Sequence, residues 1–515
     1  MVTHVTAALL LSACAGAPPE PATTPSDPLA ALTRLSLDLR GVRPSTAELE
    51  AVAADAQALD PLRAAFFEDP RLAEQVVAGF AEVWNTVRDE TEHPASALGL
   101  EDEPGFARAV GEEPLRILAE VAMQDLPWTE IVTADWTRVD AQLALVWPVE
   151  LLEEPAADGW RRARYTDGRP AAGALVSNGL WWRYETSENN ASRGRANQLS
   201  RILLCRDFTL DLVAFDRSLD LSDEEAVRAA LHDNPGCAGC HSTLDPLASL
   251  LGGVYVTRKS GVEELLRYHP EREGIWRTQT GVPPSYFGLP AEALGDLGQR
   301  IAADPNFIDC AVQQSAELLL RRPLTLEDTD KRTAWREQFL DSGLTLRSLW
   351  EAIVRSEEYE EGAKLLTPAL LSSMIEDLTG FRLLVDGADL LRTSTYGLAT
   401  LAGAGDGEFA TGVAQDWSAT LVLVQNRVAE AAADHAVRVE PSRLLAVDPT
   451  AELDYDALRE AIAALHLRVL SRAAAESELE ALSTHHAEVA RLSGSEAAWV
   501  SVLTVLLRDP ELLVY

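Results

Sequence analysis

Basic residues are scarce in this chain. Its 515 residues carry 44 Lys and Arg against 81 Asp and Glu, a formal net charge of −37. A surface so acidic repels phosphate backbones and anionic lipid headgroups. That excludes nucleic acid as a partner and favours a protein with a basic or neutral surface. Cysteine is scarce too, with five in all: Cys14, Cys205, Cys237, Cys240 and Cys310. A chain of this length that is 47% hydrophobic builds its cores without disulfide staples, so the few thiols are expected to have jobs. Methionine occurs only at positions 1, 123 and 374, which limits the thioether ligands open to a metal. No internal stretch reaches the ~18 consecutive apolar residues of a membrane span. Motifs for phosphate cradles, zinc proteases and serine hydrolases (G-x-x-x-x-G-K, H-E-x-x-H, G-x-S-x-G) are absent.

What is present begins with an apolar run, Val5 to Leu11, that leads into Leu11-Ser12-Ala13-Cys14. This resembles a bacterial lipobox, although no Lys or Arg precedes the run. Residues 1–14 then read as a signal peptide with Cys14 as the lipidated residue, and 15–30 as a Pro/Ala/Thr-rich linker. The expected location is the cell envelope of a Gram-negative bacterium, in the periplasm or at the outer membrane. Membrane contact would be by the lipid anchor only.

The remainder has mostly helical periodicity, which predicts a mainly α protein. Segments are expected at 31–155 (N-terminal helical domain), 156–222 (connecting domain), 223–300, 301–365 (helical domain) and 366–515 (C-terminal helical domain). Ser45-Thr46-Ala47-Glu48 and Ser222-Asp223-Glu224-Glu225 predict capping boxes. "GALVSNGLWW" (173–182) and "ATLVLVQ" (419–425) are the best strand candidates, and loops are expected at 152–172, 184–198, 232–246 and 268–290. One pattern recurs three times, from "RLSLDLRGVRPSTAELEAV" to "FFEDPRL", from "ELLLRRPLTLEDTDK" to "IVRSEEYEE", and from "LHLRVLSRAAAESELEAL" to "LLRDPELLVY". As a degenerate helical repeat it would be a packing unit rather than a catalytic one.

Residues 234–247, "NPGCAGCHSTLDPL", carry the strongest chemical signal. Haem c attachment needs two thiols for the two vinyl groups of one porphyrin and a histidine that binds iron from the same side. Cys237, Cys240 and His241 meet all three demands in five residues. Such attachment takes place outside the bacterial cytoplasm, in agreement with the lipobox. Three other readings compete: a local disulfide, a redox dithiol, and a structural zinc site completed by Cys205 and Cys310. For the sixth iron position His232 and His269 are the candidates, and spacing does not choose between them. Arg193 and Arg195 are candidate partners for haem propionates.

The match extends beyond the motif. "LHDNPGCAGCHSTLDPLA" resembles the cytochrome-containing family of planctomycetes and myxobacteria, whose members string domains of unknown function around one C-x-x-C-H. His232, Asn234-Pro235, Cys237 to His241 and Asp245-Pro246-Leu247 stand at that family's spacing. "DLPWTEIVTADWTRVDAQLALVW", "SRGRANQLSRILLC" and "TGVPPSYFGLPAEALGDLGQRIAADPNFIDCAVQQ" are similar to its flanking segments, and "RLSLDLRGVRPSTAELE" to a helical opening in related chains. The likeness spans about residues 31 to 365. Leu244 and Ala248 depart from the usual Met and Gly, and "SLLGGVY" replaces acidic and aromatic residues. The resemblance implies export, a small cytochrome c-like haem segment at 223–300 and one covalent haem c, but no reaction. It also implies a disulfide between Cys205 and Cys310.

Together these readings predict a monohaem c-type lipoprotein that carries single electrons rather than a stand-alone enzyme. The alternatives are an envelope scaffold with structural haem, the zinc protein, and a haem enzyme acting on peroxide. The Gly-rich "LAGAGDGEF" (401–409) reads as a turn, Trp181-Trp182 as packing, and His485-His486 as surface or flank of its helix.

Overall fold

The computed structural model describes residues 27–89, 94–210, 220, 222–257, 260–405 and 413–515. These are mainly α-helical. The strands among them form one three-stranded antiparallel sheet and two short hairpins.

Local chemistry sets the first helices. Helix α1 (Pro28–Arg40) starts at Asp27, whose side chain accepts from the Leu29 N–H, and stops at left-handed Gly41. Helix α2 (Thr46–Ala54) starts at the predicted capping box: Ser45 Oγ accepts from the Glu48 N–H, and Glu48 accepts from the Ser45 N–H at 2.7 Å. Helices α3 (Arg71–Trp84) and α4 (Glu103–Met123) pack on each other, and α3 packs on α1. Strands β1 (Thr137–Val139), β2 (Val149–Leu151) and β3 (Arg161–Tyr165) pair in the order β1-β3-β2, with β1 against α4. Glu113 of α4 fastens this corner. It is fully buried and accepts from Thr137 Oγ1 (2.9 Å), Trp147 Nε1 (3.2 Å), the Gly179 N–H (2.8 Å) and Tyr165 OH. Burial pushes this carboxyl above its ordinary range against those bonds.

Next come α5 (Arg193–Leu204), α6 (Glu224–Asp233), α7 (Pro235–Ser249), α8 (Pro305–Leu320), α9 (Thr329–Asp341) and α10 (Leu346–Val354). The last group is α11 (Pro368–Thr379), α12 (Ala419–Arg438), α13 (Tyr455–Leu470), α14 (Glu476–Ser493) and α15 (Ser495–Leu507). No described helix is long and apolar enough to cross a membrane.

Both strand expectations are corrected. Residues 173–176 form a 3-10 turn that runs into the helix Asn178–Arg183. There Gly179 lets the backbone touch α4: a Cβ would lie 2.0 Å from the Val110 carbonyl oxygen. Residues 419–425 open α12, where Leu421, Val424, Gln425 and Val428 form a buried face at helical spacing and Ser418 caps the start. A short apolar run does not distinguish a strand from a buried helix turn. The loop expected at 232–246 is also mostly helix, because Asn234 caps α7 and Pro235 sits at its first position. At α6 the cap is Asp223, one residue later than expected, accepting from the Glu225 and Ala226 N–H groups.

One large apolar cluster runs from Leu32 to Tyr359 across α1, α3, α4, α5, α7, α8, α9 and α10. A second gathers Leu365 to Leu513 and takes one residue, Leu37, from α1. Helix α1 therefore serves both, with Leu32, Leu35 and Leu39 in the first. Polar groups reinforce this seam. Asp38 accepts from Tyr359 OH (2.7 Å) and Tyr515 OH (2.9 Å) and pairs with buried Lys364, and Arg43 reaches Ser471 Oγ (3.0 Å) and the Leu512 carbonyl (3.2 Å).

The three stretches with a common sequence pattern share one turn. Gly41, Arg321 and Ser471 are left-handed helix ends. Four residues later the N–H groups of Ser45, Thr325 and Ala475 donate to Glu48, Asp328 and Glu478. An arginine holds each acid: Arg40 at 2.9 Å, Arg322 at 2.7 Å and Arg472 at 2.7 Å. The likeness is one of turn chemistry, since the helices that follow differ in length.

Candidate functional site

Helix α7 carries the C-x-x-C-H motif in its first two turns. Its start is fixed by Asn234, whose side chain accepts from the Gly236 N–H at 2.9 Å. Cys237, Cys240 and His241 stand at i, i+3 and i+4, so the helix turns all three to one face. The same stripe continues one and two turns later as Leu244, Leu247 and Ala248, which are buried in the first core. The result is a helix anchored at its C-terminal half with its reactive face at the half-open end. Cys237 and Cys240 are free thiols of intermediate exposure, and Cys240 Sγ lies 3.9 Å from the Phe208 carbonyl oxygen. Gly239 faces open space, so no neighbour demands its lack of a side chain.

His241 is oriented by its own helix. Its Nδ1 lies 2.9 Å from Asp245 Oδ1, one turn on, and its side chain keeps 24% exposure. A carboxylate only accepts, so Nδ1 carries the proton and the Nε2 lone pair is left for another partner. Asp245 is only 1% exposed. Arg193, at the start of α5, grips it with Nε on Oδ1 at 2.6 Å and Nη2 on Oδ2 at 3.0 Å. Burial works against the Asp245 charge, but the bonds from His241 and Arg193 outweigh it and hold the carboxyl below its ordinary range.

Helix α5, which supplies Arg193 and packs on α7, is bolted to α8. Its end residue Cys205 forms a disulfide with Cys310, Cα to Cα 5.2 Å. Those two sulfurs are bonded to each other, so a zinc site of four thiolates is not assembled. Among the described residues no group of three or more His, Cys, Asp or Glu is placed to hold a metal ion.

The other expected site residues lie as follows. Arg195 is buried, and its guanidinium donates to the carbonyls of Tyr184 (2.6 Å), Val254 (2.6 Å) and Trp181 (3.3 Å), which leaves it occupied within the core rather than turned toward a propionate. Arg193 is committed to Asp245. His269 is fully buried, with Nδ1 2.9 Å from Glu271 Oε1 and Nε2 2.8 Å from the Glu264 carbonyl oxygen, so neither nitrogen offers a lone pair to a metal. His232 lies in α6, but its side chain is outside the described residues, as is Cys14. Met374 is buried in the second core and accepts from Arg43 Nε through its sulfur at 3.4 Å. A small pocket of about 10 Å³ borders Arg169, Asn178, Trp181 and Tyr268, and no residue of the motif lines it. His486, expected at the surface or flank of its helix, is buried against Trp499 with ring centroids 4.8 Å apart.

Residue chemistry fits haem c: two free thiols one turn apart and, on the same face, an imidazole whose Nε2 has no partner among the described residues. Sequence reading named Asp245 and Asn234 only as matching positions of the resemblance and assigned neither its role. The signal for both was there, since His241 and Asp245 are spaced i, i+4 once the segment is read as helix. Compared with protein families, curated proteins and solved structures, the chain gives no match.

Proposed function

We propose that this chain is an exported, lipid-anchored monohaem c-type protein that passes single electrons in the cell envelope. One observation carries the reading: Cys237, Cys240 and His241 share a half-open helix face, and Asp245 holds the imidazole with Nε2 free. Bound there, the haem would supply a one-electron iron couple. The chain's own residues do the rest. Cys237 and Cys240 would hold the ring through their sulfurs, and His241 Nε2 would ligate its iron. The stripe of Leu244 and Leu247 keeps the face fixed to the core. Lipidation at Cys14 would confine the protein to the membrane surface. Its net charge of −37 would steer a redox partner with a basic or neutral face, fastest at low salt.

The test is expression with a haem c maturation system followed by a pyridine haemochrome spectrum. One covalent haem per chain is expected, lost in the Cys237→Ser, Cys240→Ser double variant. A colourless wild-type chain would refute the reading. A reversible one-electron couple separates an electron carrier from a scaffold in which haem is structural.

A further inference from the structure

We infer that Asp245 is a positioning residue for the iron, poised by Arg193, and that this pair sets the reduction potential through His241. The inference rests on the haem reading above. It comes from three contacts on one carboxylate. Asp245 Oδ1 receives both His241 Nδ1 (2.9 Å) and Arg193 Nε (2.6 Å), and Oδ2 receives Arg193 Nη2 (3.0 Å). The carboxylate is 1% exposed, so water does not screen it. A hydrogen bond from the outer ring nitrogen to a carboxylate fixes the tautomer and raises the basicity of a ligating imidazole. The more electron-rich the imidazole, the better it stabilises the higher-charged ferric iron.

Arg193 works in the opposite sense. Its bidentate grip fixes the carboxylate toward His241 and offsets part of the negative charge. The two residues therefore form a balanced lever, in which removal of either partner moves the potential, and in opposite directions. A role confined to packing would not produce opposite signs. The lever spans two helices, because Arg193 begins α5 and Asp245 sits inside α7. Helix α5 in turn ends at the disulfide to α8, which holds Arg193 in register with the motif.

The experiment is spectroelectrochemistry of the haem-loaded full chain. In Asp245→Asn the ferric–ferrous equilibrium is expected to shift at least tenfold toward ferrous, a rise of about 59 mV for a one-electron couple. Arg193→Gln is expected to lower the potential, and Arg193→Lys, which keeps the charge, to restore most of it. Haem retained with the potential unmoved in Asp245→Asn, or shifts of the same sign in Asp245→Asn and Arg193→Gln, would overturn the inference. Because Asp245→Asn leaves Arg193 half-buried and unpaired, the wild-type chain supplies a second readout. In the ferrous form, made diamagnetic with carbon monoxide, the His241 Nδ1 proton should be shifted downfield, protected from solvent exchange and close to the Asp245 Cβ protons by NMR. A freely exchanging proton with no such proximity would also overturn it. Absence of haem from the wild-type chain fails the underlying reading instead, so the two failures are distinct.

Discussion

The two larger apolar cores keep their charges in different places. Before residue 365 the buried side chains include Arg34, Arg40, Arg43, Glu112, Glu113, Arg116, Arg138, Arg195 and Asp245. After it, setting histidine aside, Asp389 is the one buried charged side chain among the described residues. The second core is Ala, Leu and Val packed around Trp499, with α15 against both α12 and α14. Buried charge is expensive to keep and is weak evidence for stability in itself. A region that holds so much of it is committed to placing particular groups. In the first region one of those groups, Asp245, orients His241 on the face of α7, and others fasten the sheet corner and the seam to the second core, whereas the second core is a packing body.

The sharpest way to break that contrast is to remove the Cys205–Cys310 disulfide, which closes a loop of 105 residues around the motif helix. Loop-closure entropy puts its contribution at up to about 4.7 kcal/mol. In the Cys205→Ser, Cys310→Ser double variant, hydrogen exchange should accelerate in α5, α7 and α8, while α12 and α15 stay protected. Equal loosening of both regions would erase the distinction.

A smaller effect follows from Arg195. Replacing it with Met strands the carbonyls of Trp181, Tyr184 and Val254 in the core. At roughly 1 kcal/mol for each unpaired group, the unfolding free energy from urea titration should fall by about 3 kcal/mol. The equally buried apolar swap Leu503→Met in the second core should cost less than about 1.5 kcal/mol. If the two cost the same, buried charge is not what sets the regions apart.

The smallest effect is the pH response of the three arginine-latched turns. Burial opposes the charge of Glu48, but its bonds to Arg40 and Ser45 prevail and lower its pKa. The bond from Arg322 holds Asp328 well below its ordinary value, and that from Arg472 brings Glu478 down to about 2. A carboxyl with a lowered folded pKa contributes stability above its unfolded pKa of about 4, and that contribution is lost as pH falls through the folded value. Thermal midpoints should therefore drop between about pH 4.5 and pH 2, and Arg472→Gln should flatten the drop by about 0.5 kcal/mol, as suits a partly exposed pair. Differential scanning calorimetry across that range checks it.

Periodicity and caps made the helical class legible. Ser45 with Glu48 announced α2 correctly, since a capping box is a contact between near neighbours in sequence. Residues 173–182 and 419–425 misled, because whether an apolar run coils or extends depends on what it packs against. The motif itself could be read in five residues. Its surroundings could not: Arg193 and Asp245 are 52 residues apart, and only the packing of α5 on α7 brings them together. Arg195, two residues from Arg193, points the other way into the core, a difference that composition does not encode.

The covalent ring closed by Cys205 and Cys310 also bears on how the protein matures. In an oxidising compartment the thiols of a new chain are free to cross-react, and a bond from Cys205 or Cys310 to Cys237 or Cys240 would consume a thiol of the motif. By setting the left-handed end of α5 beside α8, the fold brings those two sulfurs to each other and leaves Cys237 and Cys240 as free thiols. On the proposed haem reading, the pairing of Cys205 with Cys310 keeps both motif thiols available to a porphyrin.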